Sequence, residues 1–261
     1  NLMPIFDLGD EAGLPYMVQP LMGGGDVEGL IEGAEDGKLL LEDALRIASE
    51  MCSGLDFAHS QGVVHRDLKP GNVWLTGDGA VRIGDFELAI SLDRSRLTQE
   101  KMMIGTVSYM PPEQATGGEA TAKSDLYSLG AMLYEMVTGR PPFLGDDEIA
   151  IISQHVNTPP VAPAWLNPEV PAQLDTLILR LLEKDPAARP ESGSDVLTAL
   201  GDIDLSVMTD HEDSEGVSLD SMAGGVFVGR HQEMDQLKSE LEKALSGRGG
   251  MMTLVGEPGI G

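Results

Sequence analysis

Asp67, Lys69 and Asn72 fall within one short run, His65-Arg66-Asp67-Leu68-Lys69-Pro70-Gly71-Asn72, and Asp85 follows thirteen positions after Asn72. A carboxylate, an ammonium, an amide oxygen and a second carboxylate are the groups needed to move a phosphoryl group onto a hydroxyl. That reaction demands little covalent help. It needs metal ions to neutralise charge, a cation near the moving group and a carboxylate to orient the attacking hydroxyl. Asp67 can accept the hydroxyl proton, and Lys69 reaches the same place from the same loop. Asn72 offers a neutral oxygen and Asp85 a charged one to Mg2+, a hard cation that prefers oxygen. A generic pair of carboxylates would lack the lysine and the amide at these offsets.

The flanking sequence supplies elements to hold these groups. Val73-Trp74-Leu75 and Val81-Arg82-Ile83 have the apolar pattern of short strands, with Gly77-Asp78-Gly79 as the turn between them. That hairpin would set Asn72 and Asp85 side by side. Val63-Val64 suggests a further short strand. Upstream, Glu42 to Ser60 predicts a long helix, with Glu42 and Asp43 suited to its positive end and Gly62 just beyond it. Asn1 to Leu8 and Leu14 to Leu21 predict two strands around a turn at residues 9–13, and Asp26 to Glu32 a short helix. Downstream the pattern is helical: Ser124 to Thr138 is apolar almost all round, as in a buried helix. Glu148 to His155, Ala172 to Leu182 and Ser194 to Leu200 follow, separated by proline-rich loops.

The chain has 261 residues, of which 41% are hydrophobic, enough for a packed core. Its 43 acidic and 17 basic residues leave a formal net charge of -26. That balance opposes direct contact with nucleic acid or with an anionic membrane surface. The single cysteine, Cys52, excludes an intrachain disulfide and suits a reducing, cytoplasmic setting. Its place among Ala48, Met51 and Leu55 predicts a buried thiol. No apolar stretch approaches the roughly 20 residues needed to cross a bilayer. Between Gly201 and Gly225 there are seven acidic residues and no lysine or arginine, which reads as a linker.

The run "VVHRDLKPGNVWL", then "IGDFELA", then "GTVSYMPPEQ", then "SDLYSLGAMLYEMVTGRPPF" resembles the Ser/Thr protein kinases, in family order and spacing, over about residues 1–200. The resemblance implies an α+β fold whose C-terminal lobe is mainly helical with short strands, acting on protein substrates with ATP and Mg2+. Residue by residue it implies Asp67 as catalytic base, Lys69 as a contact to the transferred phosphoryl group, and Asn72 and Asp85 as Mg2+ ligands. Leu21 and Met22 would meet adenine at the hinge, with Trp74 at the pocket floor. Thr106 would lie in the substrate loop. Glu113 would pair with Arg189 in a buried ion pair, and Asp125 would anchor the catalytic-loop backbone. Arg66 implies control by a phosphorylated activation loop, with Thr98 or Ser95 as the site. His65 is expected to pack and hydrogen-bond rather than act as a base, and His59 to sit at a helix end without chemistry.

Two departures stand out. The family's Gly-rich loop, its ATP-contacting lysine and that lysine's glutamate partner have no counterpart in residues 1–62, so the expectation is a C-terminal lobe with most of the N-terminal lobe missing. The tripeptide Asp85-Phe86-Glu87 carries glutamate where the family has glycine. Residues 226–261 carry a separate signal. "FVGRHQEMDQL" followed by "MMTLVGEPGIG" resembles the opening of an α/β P-loop ATPase, with Gly256, Gly259 and Gly261 at the start of a nucleotide-binding loop. The reading is therefore a kinase domain at 1–200, an acidic linker at 201–225 and the start of an ATPase at 226–261. The rival is a pseudokinase-like module that regulates the attached ATPase.

Overall fold

The computed structural model describes residues 1–86 and 107–205. Its first element is a hairpin. Strands β1 (Asp7–Glu11) and β2 (Leu14–Val18) pair antiparallel from Asp7 with Val18 to Glu11 with Leu14. Ala12 and Gly13 make the turn with φ of 57° and 84°. Two positive-φ residues give the turn hand that suits the right-handed twist of the strands. The Asp10 carboxylate accepts from the Gly13 N–H at 2.8 Å and tightens it. The ladder therefore runs into residues expected to be turn. The first residues lie against another strand, where Met3 N–H donates to the Ile83 carbonyl at 2.8 Å. Strands of an N-terminal lobe thus precede the helical body, and the expectation of a C-terminal lobe with most of the N-terminal lobe missing is too narrow.

Helix α1 (Val27–Gly33) is capped by Asp26, whose carboxylate accepts from Gly29 N–H at 2.8 Å. Helix α2 (Leu41–Ser60) buries Ala44, Ile47, Ala48, Met51, Cys52 and Leu55 along one face. Burial pushes the Cys52 thiol up to about 12, so it packs as a small apolar group. Residues 63 and 64 form no strand: Val63 N–H returns to the Ala58 carbonyl at 3.0 Å as part of the chain's exit from α2. Strands β3 (Val73–Leu75) and β4 (Val81–Ile83) pair antiparallel with Trp74 opposite Arg82.

After residue 106, the short helix α3 (Pro112–Ala115) leads to α4 (Ala122–Thr138), which is buried along almost its whole length. Ser124 Oγ accepts from Thr121 N–H at 2.9 Å to close its first turn. Helices α5 (Glu148–Asn157), α6 (Pro163–Leu166), α7 (Ala172–Leu181) and α8 (Gly193–Gly201) complete the body. The core forms where α2 packs against α4 and α8, and α4 against α7. Leu126, Leu129, Leu133 and Ile178 are fully excluded from solvent there. Each such side chain contributes about 1.5–3 kcal/mol. No described helix is long and apolar enough to cross a membrane.

Helices α4 and α7 approach closely at Gly130, where an added Cβ would lie 2.5 Å from Leu181 Cβ. Gly130→Val should therefore force α4 and α7 apart and cost about 1–3 kcal/mol. A thermal melt checks this, and an unchanged midpoint would contradict the tight crossing.

Candidate active site

The loop between α2 and β3 is fastened first by its backbone. Asp125, 1% exposed on α4, accepts from His65 N–H at 2.8 Å with Oδ2 and from Arg66 N–H at 2.9 Å with Oδ1. Arg66 holds φ at 73°, a left-handed conformation that costs a side-chain-bearing residue about 1–3 kcal/mol. That conformation persists because both sides of the residue are tied. Gln114 Nε2 donates to the Arg66 carbonyl at 3.0 Å, opposite the Asp125 clamp. His65 is fully buried, its Nε2 2.8 Å from the Gly84 carbonyl and its ring 4.6 Å from the Phe86 ring. It pegs the loop to the segment carrying Asp85.

On this base stand the polar groups. Lys69 Nζ lies 3.0 Å from Asp67 Oδ2, with the two side chains 30% and 34% exposed. A pair this open contributes only about 0–1 kcal/mol to stability. Its consequence is geometric: it aims a carboxylate and an ammonium at one point. Asn72 Nδ2 donates to the Asp67 carbonyl at 2.8 Å, so its Oδ1 is the atom with which it could serve a cation. Gly84 N–H donates to the Asn72 carbonyl at 2.9 Å and brings Asp85, with φ at 51°, alongside. Aspartate tolerates that region better than most residues. An amide oxygen and a carboxylate on adjoining segments fit a hard divalent cation, which takes its other ligands from phosphate and water. Among the described residues no cluster of three or more His, Cys, Asp or Glu forms a metal cage.

A second polar centre holds the segment after residue 106. Arg189 makes a bidentate pair with Glu113 at 2.8 Å to each oxygen, and its side chain is fully buried. Its remaining N–H groups reach the carbonyls of Glu183 at 2.8 Å, Lys123 at 2.9 Å and Lys184 at 3.2 Å. Ser124 Oγ donates to Glu113 Oε1 at 2.7 Å. Burial works against the Glu113 carboxylate, but the Arg189 and Ser124 hydrogen bonds hold it below the usual glutamate range.

The remaining expected site residues are less uniform. The Trp74 indole lies against Gly84, whose added Cβ would sit 3.3 Å from Trp74 Cδ1, so it borders the Asp85 segment. Leu21 is 96% exposed and Met22 half-buried. A small cavity of about 30 Å3 beside Asp67 is lined by Arg66, Leu68, Tyr109, Pro111 and Gln114. Glu87, Ser95, Thr98, Thr106, Gly256, Gly259 and Gly261 lie outside the described residues. Sequence reasoning did not single out Gln114 or Tyr109, whose hydroxyl donates to Glu135. It also placed His59 as a bystander, whereas His59 Nε2 is 2.7 Å from Asp125 Oδ2.

The protein kinase domain family matches residues 2–198. The DNA damage-responsive serine/threonine-protein kinase RqkA of Deinococcus radiodurans is 44% identical over 197 residues, covering 74% of this chain and 29% of that protein. The serine/threonine-protein kinase PknB of Mycobacterium leprae is 35% identical over 201 residues, covering 75% of this chain and 32% of that protein. The chain thus spans less than a third of the length of these curated relatives. The kinase domain of Mycobacterium tuberculosis PknI shares the fold at a TM-score of 0.58 and 24% identity, over 77% of this chain and 70% of that one. The HRDLKPGN loop, its Asp125 clamp and the match over residues 2–198 place the chain in the protein kinase domain family.

Proposed function

We propose that the protein of which this chain is part transfers the γ-phosphoryl group of ATP to serine and threonine hydroxyls of protein substrates. The observation that carries the reading is the Asp67 carboxylate 3.0 Å from the Lys69 ammonium, with Asn72 tied to the same loop. Asp67 orients the substrate hydroxyl and accepts its proton as the oxygen attacks phosphorus. Lys69 faces the charge on the moving group. The leaving ADP takes the electron pair of the broken P–O bond. Asn72 and Asp85 would hold Mg2+, which supplies charge neutralisation on the phosphates.

Leu21, Met22 and Trp74 are assigned to adenine, Thr106 to the substrate loop and Thr98 to regulatory phosphorylation. The domain order is a kinase at 1–200, an acidic linker at 201–225 and the start of a P-loop ATPase at 226–261 with Gly256, Gly259 and Gly261 at its phosphate loop. The partners are protein substrates and nucleotide, in a cytoplasmic, multidomain signalling protein. Glu87 favours one rival: a pseudokinase-like module that binds nucleotide or a partner and regulates the attached ATPase. A glutamate there resists glycine-type conformations and sets negative charge near phosphates.

With Mg2+ and ATP, the full-length protein should phosphorylate a serine/threonine peptide library, and chelating the metal should stop it. Glu87→Gly should raise the rate. Equal rates would remove Glu87 as a brake, and no transfer by either form would favour the regulatory module.

A further inference from the structure

His155 lies on α5 and is fully withdrawn from solvent. Its Nδ1 is 2.8 Å from the Tyr127 hydroxyl, and its ring meets the Phe143 ring edge-on at 4.8 Å between centroids. Burial, with the Lys184 ammonium beside it, pulls the ring's pKa down to about 3, so it is a neutral imidazole with one N–H. With the Tyr127 hydroxyl donating to Nδ1, that hydrogen belongs on Nε2. Nε2 is buried and closes no hydrogen bond among the described residues, yet the Ser108 main chain raises the ring's proton affinity, as a carbonyl facing an N–H does. A buried donor left open is costly, so this N–H favours the Ser108 main chain as its partner.

Ser108 belongs to the turn at residues 107–110, which directly follows Thr106. Val107 and Ser108 are buried, and Met110 N–H donates to the Val107 carbonyl at 3.2 Å to close the turn. From α4, Ser128 Oγ donates to the Tyr109 carbonyl at 2.8 Å. His155 approaches the same turn from α5, which packs against α3, the next element after the turn. The turn is thus gripped from two helices, by a hydroxyl on one and an imidazole on the other.

We infer that His155 is a positioning residue for the substrate loop: its Nε2–H, oriented by the Tyr127 hydroxyl, sets the 107–110 turn against which the residues flanking the acceptor hydroxyl rest. The inference rests on the assignment of Thr106 to the substrate loop for its effect on substrate affinity, but its effect on the turn is independent of that assignment.

The test uses the full-length protein with three variants. His155→Phe keeps ring volume and loses both nitrogens. His155→Asn keeps an acceptor near the Nδ1 position but does not reach Nε2, and His155→Gln carries a donor to the Nε2 position. Hydrogen exchange at the amides of residues 107–110 is measured first. His155→Phe and His155→Asn should accelerate it while exchange in α4 stays unchanged, and His155→Gln should retain most of the protection. In turnover, His155→Phe and His155→Asn should raise KM for a protein substrate by about 3- to 10-fold, the worth of one hydrogen bond, with kcat and KM for ATP little changed. His155→Gln should recover most of that loss. Unchanged exchange in the turn, equal behaviour of His155→Asn and His155→Gln, or a loss that falls on kcat or on KM for ATP instead would each overturn the inference. If no form of the protein transfers phosphate, the kinase reading fails, while the exchange measurement still decides whether His155 holds the turn. Should His155→Phe not fold, the contrast between His155→Asn and His155→Gln decides alone.

Discussion

Replacing Arg189 with leucine is expected to lower the stability of the kinase domain by about 3–5 kcal/mol. The guanidinium is fully buried and its donors are taken up by Glu113 and three main-chain carbonyls. Removing it leaves the Glu113 carboxylate with Ser124 but no cation, and takes a donor away from the carbonyls of Glu183, Lys123 and Lys184. An orphaned charge costs more than the pair itself contributes, because the Glu113 side chain, 16% exposed, is only partly solvated. A domain of this size should lose roughly 6–20 °C in its thermal midpoint. Arg189→Leu combined with Glu113→Leu should recover much of that loss, since the uncompensated charge is then gone. A single variant that melts like wild type would show that the pair is structurally idle. The pair also carries a pH signature. The folded-state Glu113 carboxyl is depressed, so its contribution is present at neutral pH and is lost as pH falls through that depressed value. Glu113→Gln should therefore flatten the acid limb of the stability profile.

Asp67→Asn should lower kcat by about 100- to 10,000-fold, the range general-base removal produces. The asparagine keeps the shape and can still face the hydroxyl, but it cannot accept the proton. It also breaks the 3.0 Å charge contact that directs Lys69. ATP affinity should change little, because the residues assigned to adenine and metal lie elsewhere. A drop in kcat with KM for ATP preserved is the expected pattern, checked by initial-rate kinetics on the full-length protein. A rise in KM for ATP at constant kcat would move Asp67 from chemistry to nucleotide binding.

Much of this site was legible because its key residues are close in sequence. The spacing from Asp67 to Asn72 is local, and the β3–β4 hairpin that delivers Asp85 announces itself through Gly77-Asp78-Gly79. The buried helix α4 was visible from its unbroken apolar run. The parts missed are long-range or lack a marker. His59 meets a partner 66 positions away, and Gln114 one 48 positions away, so neither shows in local pattern. Ala12 adopts a positive φ that alanine does not advertise. Val63-Val64 has strand-forming side chains, but Val63 N–H goes to Ala58 and the following backbone is claimed by Asp125. Tertiary hydrogen bonds overrode local propensity there.

The most direct test follows the γ-phosphoryl group itself. Full-length wild-type protein and its Asp67→Asn variant are incubated with γ-labelled ATP and Mg2+, and the labelled amino acids in a protein substrate are identified. Phosphoserine and phosphothreonine are expected with wild type and almost no label with the variant. Label confined to tyrosine, or equal labelling by the two proteins, would contradict the proposed transfer.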